Sequence, residues 1–251
     1  MILDGRELVG YIMERQTRQA RAKRVPPRLA IVRQGTTPAT DLFLRVKQAY
    51  GRDIGVTVDT YTESPESLLD RIDSLNQDKS VTGIIVQLPL ADAPELTDEA
   101  LNAVVKDKDV DGLASDSPFD AATPKAILWL LAAYNIELKD KDIVIVGQGR
   151  LVGEPLANGL EASGHSVKRL DDTTKDLKAE LLEADIIVAA TGESGLITSE
   201  MVKAGAVVVD VGAPKSDLAD DLRARTDIKL TANPGGVGPV TVAALFDNLL
   251  T

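Results

Sequence analysis

Short apolar runs recur along the chain, separated by stretches whose apolar residues fall at helical spacing. Leu29–Val32, Gly83–Gln87, Ile143–Val146, Ile186–Ala190 and Ala206–Val211 are predicted as strands, with Val56–Tyr61 and Ser166–Leu170 beside them. Ile143–Val146 is too short and too β-branched for a helix, so it is read as a buried parallel strand. Helices are predicted at Leu8–Ala20, from Pro38, at Pro65–Leu75, Thr97–Val105, Thr123–Tyr134 and Asp176–Glu183, near Thr198, and at Thr241–Leu250. Thr37 as N-cap with Pro38 at the first helical position marks the second of these. Asn233–Pro239 reads as a rigid loop able to bring backbone close to a ligand. Strand and helix alternate throughout, which predicts an α/β protein of two units, roughly 1–120 and 121–232. The last helix is expected to return to the first unit.

One segment is more specific. After Ile143–Val146 come Gly147, Gly149 and Gly153, then Val152, Leu156 and Leu160 on one helical face, and Gly164 as a stop. The following strand ends at Asp171 and Asp172. Strand, glycine turn, helix, strand and acid is the plan of a Rossmann-type dinucleotide site. Glycines let backbone N–H groups approach a pyrophosphate at a helix N-terminus, and the acid accepts from the adenosine ribose. The glycines alone would be weak, since any tight strand-to-helix turn can use them.

Composition narrows the partners. A net charge of −11 argues against a nucleic-acid or anionic-membrane surface. With no Cys and one His, no disulfide and no metal site are expected, and His165 is read as a solvated turn residue. No signal-peptide core is seen, and no apolar run approaches the ~20 residues of a membrane helix. These features predict a soluble, cytoplasmic protein.

Candidate chemistry lies in the first half. Phe43 and Lys47 are one helical turn apart and share a face. Gln87 ends a strand just before Pro89, where strand ends of a parallel sheet meet a ligand crevice. It is read as a site residue, against the alternative of a solvated strand end. Lys108–Gly112 (KDVDG) reads on spacing alone as a turn, and Trp129 as core.

Together these pieces resemble the methylenetetrahydrofolate dehydrogenase/cyclohydrolase family nearly end to end. The matching segments are Asp4-Gly5, the turn from Gly35 to Thr40, Arg45 with Lys47, Val86–Leu90 (VQLPL) and Lys108–Gly112. Thr123–Lys125, Gly147–Pro155, Ala190–Gly192, Asp210–Gly212 and Pro234–Thr241 (PGGVGPVT) follow. VQLPL, KDVDG and PGGVGP in this order are highly specific. The resemblance implies a folate-binding domain (1–120, with the helix 239–251 packed back on it), a nicotinamide-cofactor domain (121–238), a cleft between them, and a homodimer. It implies hydride transfer from methylenetetrahydrofolate and hydrolysis of the methenyl product to formyltetrahydrofolate, in one-carbon metabolism and purine biosynthesis.

By the same resemblance Lys47 is the acid/base group, Gln87 tunes it, and Asp111 holds the donor edge of the pterin. Phe43, Val86, Leu88, Pro89, Pro234, Gly235, Gly236 and Pro239 are expected around the substrate. Gly147, Gln148, Gly149, Leu151, Val152, Gly153, Asp171, Asp172, Thr191, Gly192 and Gly212 are expected at the cofactor. Departures are informative. Phe43 replaces the usual tyrosine, the loop after KDVDG is about nine residues shorter, and Gly-Arg-Ser becomes Gly147-Gln148-Gly149. Ser216-Asp217-Leu218 stands for the usual GDV and Leu170-Asp171-Asp172 for C-H-S; Gln148, Asp171 and Asp172 fall where an adenosine phosphate would be read, so NAD is expected over NADP. The competing readings are a folate- or nucleotide-binding relic with weak or no cyclohydrolase activity, and another two-domain dehydrogenase of the amino-acid or shikimate sort.

Overall fold

The computed structural model describes residues 1–251 apart from Pro214 and the side chain of Ala39. The chain is α/β, with two parallel sheets, and divides into two compact units: Gly10–Ala122 with Val242–Thr251, and Met1–Val9 with Thr123–Thr241.

The unit of residues 10–122 is built on β2 (Arg28–Arg33), β3 (Thr57–Thr62) and β4 (Gly83–Gln87), in the order β3-β2-β4. Its helices are α2 (Pro38–Ile54), α3 (Pro65–Gln77) and α4 (Thr97–Ala103), with most of α1 (Gly5–Ala22) and of α9 (Val237–Leu250). Residues alternate in facing along the strands. Ala30, Val32, Ile84 and Val86 form one core with Leu68, Ile72 and Leu75 of α3 and with Ala100 and Leu101 of α4. In the same unit Phe246 of α9 is fully buried and stacks on Tyr50 of α2 at 5.1 Å. The Tyr50 hydroxyl donates to Gln16 Oε1 at 2.7 Å, and Gln16 Nε2 donates to Ala243 O at 2.8 Å, so a buried amide joins α1, α2 and α9. A Cβ on Gly51 would stand 2.5 Å from Val58 and 3.2 Å from Phe246, which explains glycine inside α2 despite its helix cost.

The other unit holds a six-stranded sheet, β1-β9-β8-β7-β5-β6, formed by β1 (Ile2–Leu3), β5 (Ile143–Val146), β6 (Val167–Leu170), β7 (Ile186–Ala189), β8 (Val207–Asp210) and β9 (Lys229–Thr231). Its helices include α5 (Ala122–Ala133), α6 (Gly153–Ala162), α7 (Leu177–Leu182) and α8 (Asp220–Arg223). From β5 the chain adds β6 on one side and then β7 on the other. The strand order therefore reverses at β5 and β7, the place where such sheets bind ligands beyond their carboxyl ends. Val144, Val146, Ile187, Val208 and Leu230 pack there with Leu181, Ile197, Leu218 and Leu222.

Three differences from the sequence reading have simple causes. Met1–Val9, assigned above to the N-terminal domain, fall with the 123–241 unit, because β1 pairs with β9 and the Gly5 N–H donates to Gly235 O at 2.8 Å. The last helix begins at Val237, so Val237-Gly238-Pro239 is its first turn rather than loop. Proline is tolerated there because first-turn N–H groups have no helical acceptor. Near Thr198 only a single 3-10 turn forms, Ser199–Met201.

Candidate active site

In the 10–122 unit the site begins with how α2 is started. Thr37 and Thr40 cap each other reciprocally, each side chain bonding the other's backbone N–H, at 3.1 and 3.0 Å. Arg33, at the end of β2, pairs with Asp41 of the first turn at 2.5 Å and lies beside Gln87 in the β2–β4 register. A helix so fixed holds Phe43 and Lys47 on successive turns of one face. Phe43 is 40% exposed, so its ring is available to a ligand.

Gln87 continues β4 on the face opposite Val86. Its Nε2 donates to Leu88 O at 3.0 Å, which leaves Oε1 to accept from Lys47 Nζ at 2.9 Å. Lys47 is half-buried, and burial holds its amine below the usual lysine range, with only Asp111 acting the other way. Asp111 is pushed up, first by burial and then by Asp109, while Lys47 opposes the shift. Lys47, Gln87 and Asp111 therefore form one electrostatically linked group.

KDVDG is more than a turn. Lys108 Nζ donates to Leu75 O, Asn76 O and Asp78 O at 2.8–2.9 Å, capping the end of α3. Asp109 is 3% exposed and accepts from the Ala114 N–H at 2.9 Å. Val110 is buried, and its carbonyl accepts from Asn248 Nδ2 at 2.9 Å. Gly112 has φ +72°, and a Cβ there would stand 2.7 Å from the Asp120 carbonyl. Four of the five residues thus fix the fifth, Asp111. The remaining substrate candidates divide: Val86 is 2% exposed and its side chain is spent in the core, Leu88 is partly buried against the same core, and Pro89 is exposed. The Leu88–Pro89 and Asn233–Pro234 bonds are cis.

In the 123–241 unit the three glycines have different reasons. A Cβ on Gly147 (φ +90°) would lie 2.4 Å from Ala190 O, and one on Gly153 would lie 1.8 Å from Gly147 O. At Gly149 a Cβ meets no described atom within 4 Å, so protein packing leaves that position open. A glycine kept bare toward open space fits close approach of a pyrophosphate, the job the middle glycine has in dinucleotide sites. Gln148 donates to Ile145 O at 3.1 Å, while Leu151 (45% exposed) and Val152 lead into α6. Asp171 and Asp172 are exposed at the end of β6. Asp171 Oδ1 accepts from Thr173 Oγ1 and N–H at 2.6 and 2.9 Å, and those bonds hold its carboxyl below the usual range.

Thr191 and Gly192 follow β7, and Gly212 follows β8. Gly235 (φ +109°) and Gly236 lie in the turn before α9, where a Cβ on Gly236 would stand 2.5 Å from Ala232 O. Pro234 is exposed and Pro239 is half-buried in the first turn of α9. Two residues of this unit escaped the sequence reading as site residues. Asp210 and Asp217 are both buried, and each accepts several hydrogen bonds from the strand-end loops.

Comparison with known proteins bears on both units. Residues 3–111 match the model of the tetrahydrofolate dehydrogenase/cyclohydrolase catalytic domain, and residues 121–251 match that of the family's NAD(P)-binding domain. The bifunctional FolD protein of Moorella thermoacetica is 35% identical, over 98% of this chain and 96% of its own length. The bifunctional FolD enzyme of Campylobacter jejuni superposes with a TM-score of 0.91 at 34% identity, covering 100% of this chain and 97% of that one. The Trypanosoma brucei dehydrogenase-cyclohydrolase, solved with NADP and an inhibitor, gives a TM-score of 0.91 at 27% identity, over 100% and 96%. With both domain models matched across almost all of its length, the chain belongs to the tetrahydrofolate dehydrogenase/cyclohydrolase family.

Proposed function

We propose that Lys47, held by Gln87 and facing Asp111, is the acid/base group through which this chain performs the reactions of its family. The enzyme oxidises methylenetetrahydrofolate to methenyltetrahydrofolate with a nicotinamide cofactor and hydrolyses methenyltetrahydrofolate to formyltetrahydrofolate. The observation that carries the residue assignment is the 2.9 Å bond from Lys47 Nζ to Gln87 Oε1 on an amine whose pKa burial lowers. A neutral amine takes a proton from the water that attacks the methenyl carbon, and the resulting ammonium returns one as the ring opens. Asp111 accepts from the donor edge of the pterin, and the Phe43 ring stacks on it. The cofactor, when bound, supplies the hydride acceptor. Gly147, Gln148, Gly149 and Gly153 bring backbone to its pyrophosphate, and Asp171 reads its adenosine ribose. The folate is thus assigned to the unit with Lys47 and the cofactor to the unit with the glycine turn. The cofactor is NAD in preference to NADP, and the working form is a cytoplasmic homodimer that binds neither nucleic acid nor membrane. Among the described residues no helix is long and apolar enough to cross a bilayer.

The direct test of the Lys47 environment is Gln87→Glu. A carboxylate in place of the amide favours the ammonium, so the amine titrates higher. The rising limb of the pH–rate profile for hydrolysis is expected to move up by about one to three pH units. An unmoved limb would remove Gln87 from the tuning role.

Phe43 sets a second expectation. Hydride transfer depends on positioning, which the phenyl ring retains, whereas hydrolysis requires protons to move. Phe43→Tyr is expected to raise hydrolysis by several-fold, on the order of the smaller acid–base effects, and to change the dehydrogenase by less. Equal changes in the two rates would show the hydroxyl to be irrelevant.

A further inference from the structure

The loop after β7 turns its donors inward. Asp217 Oδ2 accepts from the Thr191 N–H at 2.7 Å, the Thr191 hydroxyl at 3.0 Å and the Gly192 N–H at 3.2 Å, and Asp217 is fully buried. Asp217 is itself anchored, since its N–H donates to Asp210 Oδ1 at 3.2 Å. Asp210, the last residue of β8, also takes the Gly212 N–H at 3.1 Å, Ser216 Oγ at 2.7 Å, Asn233 Nδ2 at 3.1 Å, and Arg223. Two carboxylates in series therefore tie together the ends of β7, β8 and β9. Gly212 has its explanation here: a Cβ would stand 2.4 Å from Asp217 Oδ1, so glycine at this position seats Asp217.

The inward turn has a chemical consequence. Backbone N–H groups at the end of a parallel strand are ordinary ligands for phosphate. In this loop two of them are already committed to a buried carboxylate, which would also repel an anion above it. The loop is left to meet a ligand with carbonyl oxygens, which accept from hydroxyl or amide N–H groups.

We propose that Asp217 is a positioning residue for dinucleotide binding, which reserves the loop at Thr191-Gly192 for donor groups of the cofactor and leaves its phosphates to the glycine turn. The proposal rests on reading this unit as the dinucleotide site. It assigns Asp217 no contact with substrate or cofactor. Its effect passes through Thr191 and Gly192.

The test is NAD binding to the full-length protein by titration, with the Michaelis constants for NAD and for methylenetetrahydrofolate measured alongside. Asp217→Ala leaves three donors without an acceptor and frees the loop. It is expected to weaken NAD binding about tenfold or more, with the folate KM within about threefold. Asp217→Asn keeps one carbonyl oxygen facing the same donors and is expected to recover most of that loss. Leu222→Ala, a buried core change in the same unit, controls for simple destabilisation and is expected to leave NAD affinity within about twofold. Wild-type affinity in Asp217→Ala would overturn the proposal, as would an equal loss in Leu222→Ala. Wild-type protein that binds neither NAD nor NADP would overturn the cofactor reading of the unit and this proposal with it.

Discussion

Lys47→Met is expected to remove hydrolysis of methenyltetrahydrofolate almost entirely, by about 10²–10⁴-fold, the usual worth of a positioned acid or base. Methionine keeps the unbranched apolar stem, so packing on α2 changes little. What disappears is the amine that donates to Gln87 Oε1 at 2.9 Å. A lysine in water is almost wholly protonated at neutral pH and can accept nothing. Burial holds Lys47 below the usual lysine range, and Gln87 contributes an acceptor without a negative charge that would favour the ammonium. Asp111 is the one carboxylate that pulls the other way. It is itself pushed up by burial, with Lys47 opposing that shift. Following the loss of methenyl absorbance in purified Lys47→Met protein checks the prediction, with circular dichroism to confirm the fold. Hydrolysis at the wild-type rate would end the assignment.

The elements that sequence patterning finds are those whose burial is written into their own residues. β2, β4, β5 and β7 are continuous apolar runs, and α2 announces itself through Thr37 and Pro38. Two strands of the larger sheet escape because they are too short to carry a period. β1 has two residues and β9 three, and both are held by parallel pairing, β1 with β9 and β9 also with β8. The site divides along the same line. Lys47 and Gln87 stand at a helix face and a strand end, positions that local pattern can mark. KDVDG looks like a turn because its work is done at a distance: Lys108 reaches the end of α3, and Asn248 reaches Val110 from the far end of the sequence. Asp217 is the extreme case. Nothing around it in the sequence distinguishes a buried acceptor from a solvated acid. Only its bonds to Thr191 and Gly192, more than twenty residues away, do so. Membership of a recognised motif does not by itself say what a side chain does, and that of Val86 packs in the core.

NAD is expected to be used in preference to NADP by about a hundredfold or more in kcat/KM, because the end of β6 presents the carboxylates of Asp171 and Asp172 to the 2′ position. Asp171 follows the last buried residue of β6, where a dinucleotide site reads the adenosine ribose. Its Oδ1 is fixed by Thr173, and that bonding holds its carboxyl below the usual carboxylate range. A carboxylate there accepts from both ribose hydroxyls of NAD and meets the extra phosphate of NADP charge against charge. Two cations of β6 itself, Lys168 and Arg169, are turned to other acids. Lys168 pairs with Glu180, and Arg169 pairs with Glu161 at 2.6 Å while also donating to Asn158 at 2.7 Å. These pairs are exposed and individually weak, so they bias the two cations away from the cofactor without locking them. The repulsion at Asp171 and Asp172 is the larger effect, and it sets the sign. Asp171→Ser gives the sharper check: it removes the charge and keeps a hydroxyl, so it should raise kcat/KM with NADP by more than it changes that with NAD. If Asp171 and Asp172 were only a solvated turn, the wild-type enzyme would show little discrimination and the substitution would move neither cofactor. Side-by-side kinetics with the two cofactors decide between these outcomes, and a clear preference for NADP in the wild-type enzyme would overturn this reading of the β6 end.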